Sequence, residues 1–111
     1  MVARIAEGLR QEGFQQVQAA ELDGFEAPPT IDGHVPDVAA AHRHHYLYEV
    51  ETEETLEREE TLQQWKAFAH HARRNDTRFV IVVPLGSGLQ AQALNNYYRL
   101  RAEVREIDFD H

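Results

Sequence analysis

Apolar positions first recur at helical spacing. Ile5, Ala6 and Leu9 share one face of Val2 to Gln11, and Gly13 stops that helix. Phe14, Val17, Ala19 and Leu22 then alternate closely enough for a strand, with one slip of phase. Asp23 to Pro29 is predicted to be a loop, because the adjacent Pro28 and Pro29 cannot sit in a central ladder. The chain reads as extended again from Thr30 through Val35 and Val38 to Ala41, with a bend at Gly33. His42, Arg43 and His44 form a polar break, and Tyr46 to Glu51 supplies the second arm of a hairpin.

Thr52 offers an N-cap, and Glu53 and Glu54 would favour the dipole of a helix running to about Arg74. Leu62, Trp65, Phe68, Ala69 and Ala72 share one face of that helix, and Asn75-Asp76 ends it. Arg78 to Pro84 contains the continuous apolar run Phe79 to Val83, the pattern of a central strand covered on both sides. Gly86-Ser87-Gly88 turns the chain into a second helix from Leu89 to about Tyr98, and Ala102, Val104, Ile107 and Phe109 mark a last strand. The expected order is α-β-β-β-α-β-α-β, an α/β domain with a mixed central sheet flanked by helices.

A length of 111 residues gives one domain over residues 1–111, with room for a two-layer core. The chain has no cysteine, so neither disulfides nor thiolate metal sites are available. The first residues lack a signal-peptide apolar run and no segment is long enough to span a bilayer, so a cytoplasmic protein away from membranes is expected. The net charge of −8 argues against an autonomous high-affinity nucleic-acid binder but not against an enzyme that reaches phosphates through metal ions. Arg73, Arg74 and Arg78, and Arg99, Arg101 and Arg105, are the local cation clusters; each alone also reads as a solvated face.

The chemistry with most content lies between Pro36 and Glu51. Glu49 and Glu51 point to one face of a strand, their Cα atoms about 6.5–7 Å apart, and Asp37 on the preceding strand could reach the same point. Two or three such oxygens suit Mg²⁺ or Mn²⁺, which could then activate water against a phosphodiester. From spacing alone, a solvated sheet face leading into the acids Glu53, Glu54, Glu57, Glu59 and Glu60 explains the same residues equally well.

Pro36-Asp37 on one strand and Glu49-Val50-Glu51 on the next resemble the PD-(D/E)XK nuclease-like superfamily, which has the restriction-endonuclease-like fold. The segment Ala27 to Ala39 is similar to a small bacterial group in that superfamily, which carries Pro-Pro, Gly and Pro-Asp-hydrophobic elements and then a Glu-Ala-Lys-Thr strand. Here that strand reads Glu49-Val50-Glu51-Thr52, and Leu56, Gln64, Trp65 and Phe68 match the group's following helix; the likeness covers roughly residues 1–85. The resemblance implies that Asp37, Glu49 and the backbone carbonyl of Val50 hold the metal ion, Mg²⁺ or Mn²⁺. It also implies that Gln64 stands near the site, and that Glu7 is either an additional acid or a solvated helix residue.

Glu51 departs from the pattern, because the superfamily normally has lysine there. A carboxylate could act instead as general base or further ligand. Lys66, the only lysine of the chain, is the one residue that could supply a displaced ammonium, although its helical angle puts it on a flank. Among the seven histidines, His42, His44 and His45 fall near the hairpin tip, His70 and His71 on a helix and His34 in a loop ahead of Asp37; all read as exposed or loop residues before they read as zinc ligands. The Gly86-Ser87-Gly88 turn lacks the Gly-Lys-Ser/Thr ending of a P-loop.

Three functions follow. The first is a divalent-metal-dependent DNA phosphodiesterase using Asp37, Glu49, Glu51 and Gln64. The second is a catalytically degenerate protein of the same fold that binds a partner. The third is a metal-binding or structural protein unrelated to nucleic acid. A homodimer through the last helix and strand fits a domain too small to grip a duplex alone.

Overall fold

Residues 1–109 are described by the structure, a computed structural model. Helix α1 (Val2–Gln11) leads into strand β1 (Gln15–Ala19), then β2 (Val38–His42) and β3 (His44–Val50). A short 3-10 turn (Thr55–Glu57) precedes α2 (Glu59–Arg74), and β4 (Thr77–Pro84), α3 (Gly88–Tyr97) and β5 (Glu103–Ile107) complete the domain. The five strands form one mixed sheet in chain order, antiparallel from β1 to β3 and parallel from β3 to β5.

The 3-10 turn corrects the expected order: nine elements stand among the described residues where eight were predicted. Thr52 does not cap α2, whose N-cap position is Arg58; it instead braces the start of this turn. Its N–H donates to Thr55 Oγ1 at 2.8 Å, and Thr55 N–H donates back to Thr52 Oγ1 at 3.2 Å. Arg58 is extended (φ −82°, ψ 138°), so the long helix starts only at Glu59, and Glu59 and Glu60 take the first-turn positions near its positive end.

The second strand is also shorter than predicted, starting at Val38 rather than Thr30. The residues before it are used in a tight turn. Ile31 and His34 exchange backbone hydrogen bonds at 2.6 and 2.9 Å across Asp32 (φ 51°) and Gly33 (φ 80°). Positive φ at both central positions is the demand of a type I′ turn, which Asp-Gly meets at low cost. The turn tucks Ile31 into the core and delivers His34 to Pro36 toward the sheet.

Alternation along the strands divides the core into two layers. On one face, Ala39, Leu47, Phe79, Ile81 and Val83 pack under Trp65, Phe68, Ala69 and Ala72 of α2 and Ala91 of α3. On the other, Val38, Ala40, Tyr48, Val80 and Val82 pack against Ala6 and Leu9 of α1. Phe79 to Val83 are all buried, as expected for a central strand with parallel neighbours on both sides. No helix among the described residues is long and apolar enough to cross a membrane.

Candidate functional site

The antiparallel register of β2 and β3 pairs Val38 with Tyr48. Continued by one residue, it sets Asp37 opposite Glu49, and directly opposed residues of an antiparallel pair point to the same face. Ala39 and Leu47, two residues inward, lie on the α2 face, so Asp37 and Glu49 do as well. The two carboxyl groups are hydrogen-bonded to one another, beneath α2 and at the carboxyl end of β3. Asp37 Oδ2 also accepts the Val50 N–H at 2.8 Å, which ties it to the strand that carries Glu49.

Glu49 is only 4% exposed. Burial pushes its carboxyl up to about 11, and the hydrogen bond and charge of Asp37 and the charge of Glu51 add to the rise. The Asp37 backbone N–H donates to it and offsets a part. No basic side chain pairs with Asp37 or Glu49 among the described residues. A buried carboxyl in this setting is neutral at ordinary pH unless a cation compensates it.

Glu51 sits two residues further along the same face, also buried, and turns toward α2. Its Oε2 accepts the indole N–H of Trp65 at 3.0 Å. Burial raises its carboxyl; hydrogen bonds from Trp65 and Thr55 lower it, Asp37 raises it, and Arg58 lowers it. The third acid is therefore held by neutral donors, and the expected three-acid cluster is not formed. Among the described residues no group of three or more histidine, aspartate or glutamate side chains is arranged to hold a metal ion. What remains is a pair, Asp37 and Glu49.

Val50 adds a backbone feature to that pair. Its register partner on the β2 side would be residue 36, a proline, which has no N–H to give the Val50 carbonyl. Two carboxylates and a carbonyl without a ladder donor are hard oxygen ligands, the donor set that Mg²⁺ and Mn²⁺ accept when water and phosphate fill their remaining positions. Asp37, Glu49 and the Val50 carbonyl are the oxygens that a divalent cation would use if it bound here.

Other predicted site residues fall elsewhere. Gln64 is half-buried on α2 and makes no hydrogen bond to Asp37, Glu49 or Glu51. Glu7 is exposed on α1, which covers the opposite face of the sheet, so it is a solvated helix residue and not an additional acid of the site. Lys66 is not a displaced ammonium, since its Nζ lies over the Tyr98 ring, 4.5 Å from the centroid. His34 packs edge-on against Phe68 at 6.2 Å, and His44 lies 4.0 Å from the exposed Asp76.

The Gly86-Ser87-Gly88 turn presents N–H groups at the start of α3, but Glu106 Oε2 already accepts those of Gly86 and Gly88, at 3.1 and 2.8 Å. Two residues with structural duties carried no periodic signal in the sequence. Buried Asn95 donates to the Ala102 carbonyl at 2.8 Å and accepts its N–H at 3.0 Å, which anchors the approach to β5. Thr55 holds both Thr52 and Glu51. No protein-family model, curated protein or solved structure matches this chain.

Proposed function

We propose that this chain is a divalent-metal-dependent phosphodiesterase acting on DNA, built on a restriction-endonuclease-like core of α1, the β1–β2–β3 meander, the α2 crossover and β4. The observation that carries the reading is the buried contact between the Asp37 and Glu49 carboxyls, at the carboxyl end of β3 and without a basic partner. Burying Glu49 against the half-buried carboxyl of Asp37 is unfavourable unless a proton or a cation relieves it. Asp37, Glu49 and the Val50 carbonyl would hold Mg²⁺ or Mn²⁺, and the ion would supply Lewis acidity toward a phosphodiester.

Glu51 stands where the resembled family has lysine. Trp65 and Thr55 hold its carboxylate on the α2 side rather than in the pair, so it would assist as a base toward substrate and not as a further ligand. Gln64 is a neighbour on α2 that would approach substrate rather than the acids. A homodimer through α3 would cover Leu89 and Tyr97, which are 89% and 79% exposed.

One observation favours a second reading, a degenerate binding protein: both groups that could replace the missing lysine are engaged, Glu51 by Trp65 and Lys66 by Tyr98. Plasmid nicking in Mn²⁺ separates the two. Activity in the wild type that is lost in Glu49→Ala supports the enzyme; no activity in wild type alongside intact metal binding supports the binding protein.

A further inference from the structure

β4 begins at Thr77, but its parallel partner β5 begins only opposite Val80. The first three residues of β4 therefore have no neighbour on that side, and the sheet edge carries a notch. Arg78 lies in the notch; Arg73 reaches it from the end of α2, Arg101 from the chain entering β5 and Arg105 from β5 itself. These four arginines come from two separate clusters of the sequence and line one cavity of about 280 Å³, with Tyr46 beside Arg78 in the strand register.

Of the four, only Arg105 has an acidic partner, Glu103, which is also the only acid lining the cavity. Arg73 suits the negative end of α2 on its own account. Arg78 and Arg101 have no such reason to be there, and neither side chain makes a hydrogen bond or ion pair among the described residues. Four guanidinium groups lining one cavity with a single acid favour an anion there, and their planar forks match phosphate oxygens.

The overall charge of −8 does not cancel this patch. Glu53, Glu54, Glu57, Glu59 and Glu60 gather at the opposite end of α2, about 24 Å away by helix rise. At physiological ionic strength charges are screened over roughly 8 Å, so the acidic pole lies about three screening lengths from the notch. The cavity is near the lower bound of roughly 300 Å³ for small-ligand pockets, so it seats one nucleotide unit and not a large cofactor, and the four exposed arginines at its rim reach the phosphates on either side. Tyr46 supplies an apolar wall for a sugar or base, the combination of cationic groove and aromatic surface that takes single strands.

We propose that the notch formed by Arg73, Arg78, Arg101 and Arg105 is a docking site for the phosphates of a single-stranded nucleic acid. This goes beyond the carboxylate pair and does not depend on metal binding there.

Fluorescence anisotropy of a labelled oligothymidylate, measured in EDTA with the full chain, tests it. Binding is expected with a Kd on the order of 10 μM at low salt, and three to four shared phosphates imply a slope of about −2 to −3 in log K against log salt. The double variant Arg78→Ala/Arg101→Ala should bind at least about tenfold more weakly, with a slope shallower by about 1.4. Arg4→Ala, which removes a charge from α1, should bind as wild type, with folding of each variant checked by circular dichroism. Absence of wild-type binding, an equal loss in Arg4→Ala, tighter binding of duplex, or a nucleoside triphosphate that competes as tightly as the oligonucleotide would overturn the assignment.

Discussion

The indole N–H of Trp65 donates to Glu51 Oε2 at 3.0 Å, inside the layer between α2 and the sheet. Trp65 is fully buried and Glu51 is 5% exposed, so each needs the other. Without Glu51 the indole N–H has no acceptor in an apolar layer; without Trp65 a buried carboxyl loses a donor that stabilises its charge. The bond joins α2 to the strand end that carries Glu49. It also explains why a carboxylate is tolerated where the resembled family has lysine.

Trp65→Phe keeps most of the ring volume and removes the donor. It should destabilise the protein by about 1–3 kcal/mol, read as a lower urea midpoint at unchanged m-value. Glu51→Gln retains an acceptor for the indole and should cost less than about 1 kcal/mol at neutral pH. If Glu51→Gln is the more damaging of the two, the charge of Glu51 matters more than its bond to Trp65.

The raised carboxyl of Glu49 gives stability a pH dependence of known sign. Its folded value, about 11, lies above the 4.5 of the free side chain, so the folded state holds a proton that the unfolded state gives up. Below about pH 4.5 both states are protonated and the group is neutral in the balance; above it, stability falls as pH rises toward 11, by at most about 1.4 kcal/mol per unit. In EDTA, the wild type should therefore be more stable at pH 5 than at pH 8, and Glu49→Gln should flatten that decline. Thermal melts across this range check it, and a wild-type slope unchanged in Glu49→Gln would remove Glu49 as its source.

Nicking of supercoiled plasmid in Mn²⁺ addresses the chemistry. Wild type should nick, Glu49→Ala should lose at least about 100-fold, and Glu51→Lys should fall to or below wild type because it breaks the Trp65 bond. Cleavage that appears only in Glu51→Lys assigns the chain to the degenerate, partner-binding reading.

Asn95 tests a purely structural residue. Asn95→Ala deletes both hydrogen bonds to Ala102 and leaves its backbone groups part-buried, a loss of about 2 kcal/mol. Amide exchange should quicken first in β5, whose entry these bonds hold. Uniform exchange across the sheet would contradict that placement.

Much of the fold is legible in the sequence because it follows local pattern. The unbroken Phe79 to Val83 run announces a strand covered on both faces, and the polar His42-Arg43-His44 break announces the hairpin that carries Asp37 toward Glu49. The parts that are not legible depend on tertiary contacts. Thr52 looks like the cap of a long helix, and only its pairing with Thr55 and the extended Arg58 show that a separate turn intervenes. Glu49 and Glu51 share a face by strand periodicity, yet Trp65 draws Glu51 away from the pair, and no spacing within β3 encodes that. Likewise, Arg78 and Arg101 are 23 positions apart and meet only because β5 starts late along β4.

The central claim is that Asp37 and Glu49 form a cation site. Isothermal titration of Mn²⁺ into wild type and Asp37→Asn at pH 8 tests it most directly, since the asparagine can still accept the Val50 N–H and keep the strand end in place. The account predicts that wild type binds at least about tenfold more tightly, a difference of about 1.4 kcal/mol or more, with proton release as Glu49 ionises. Equal affinity in the two proteins, or no binding to wild type, would contradict it.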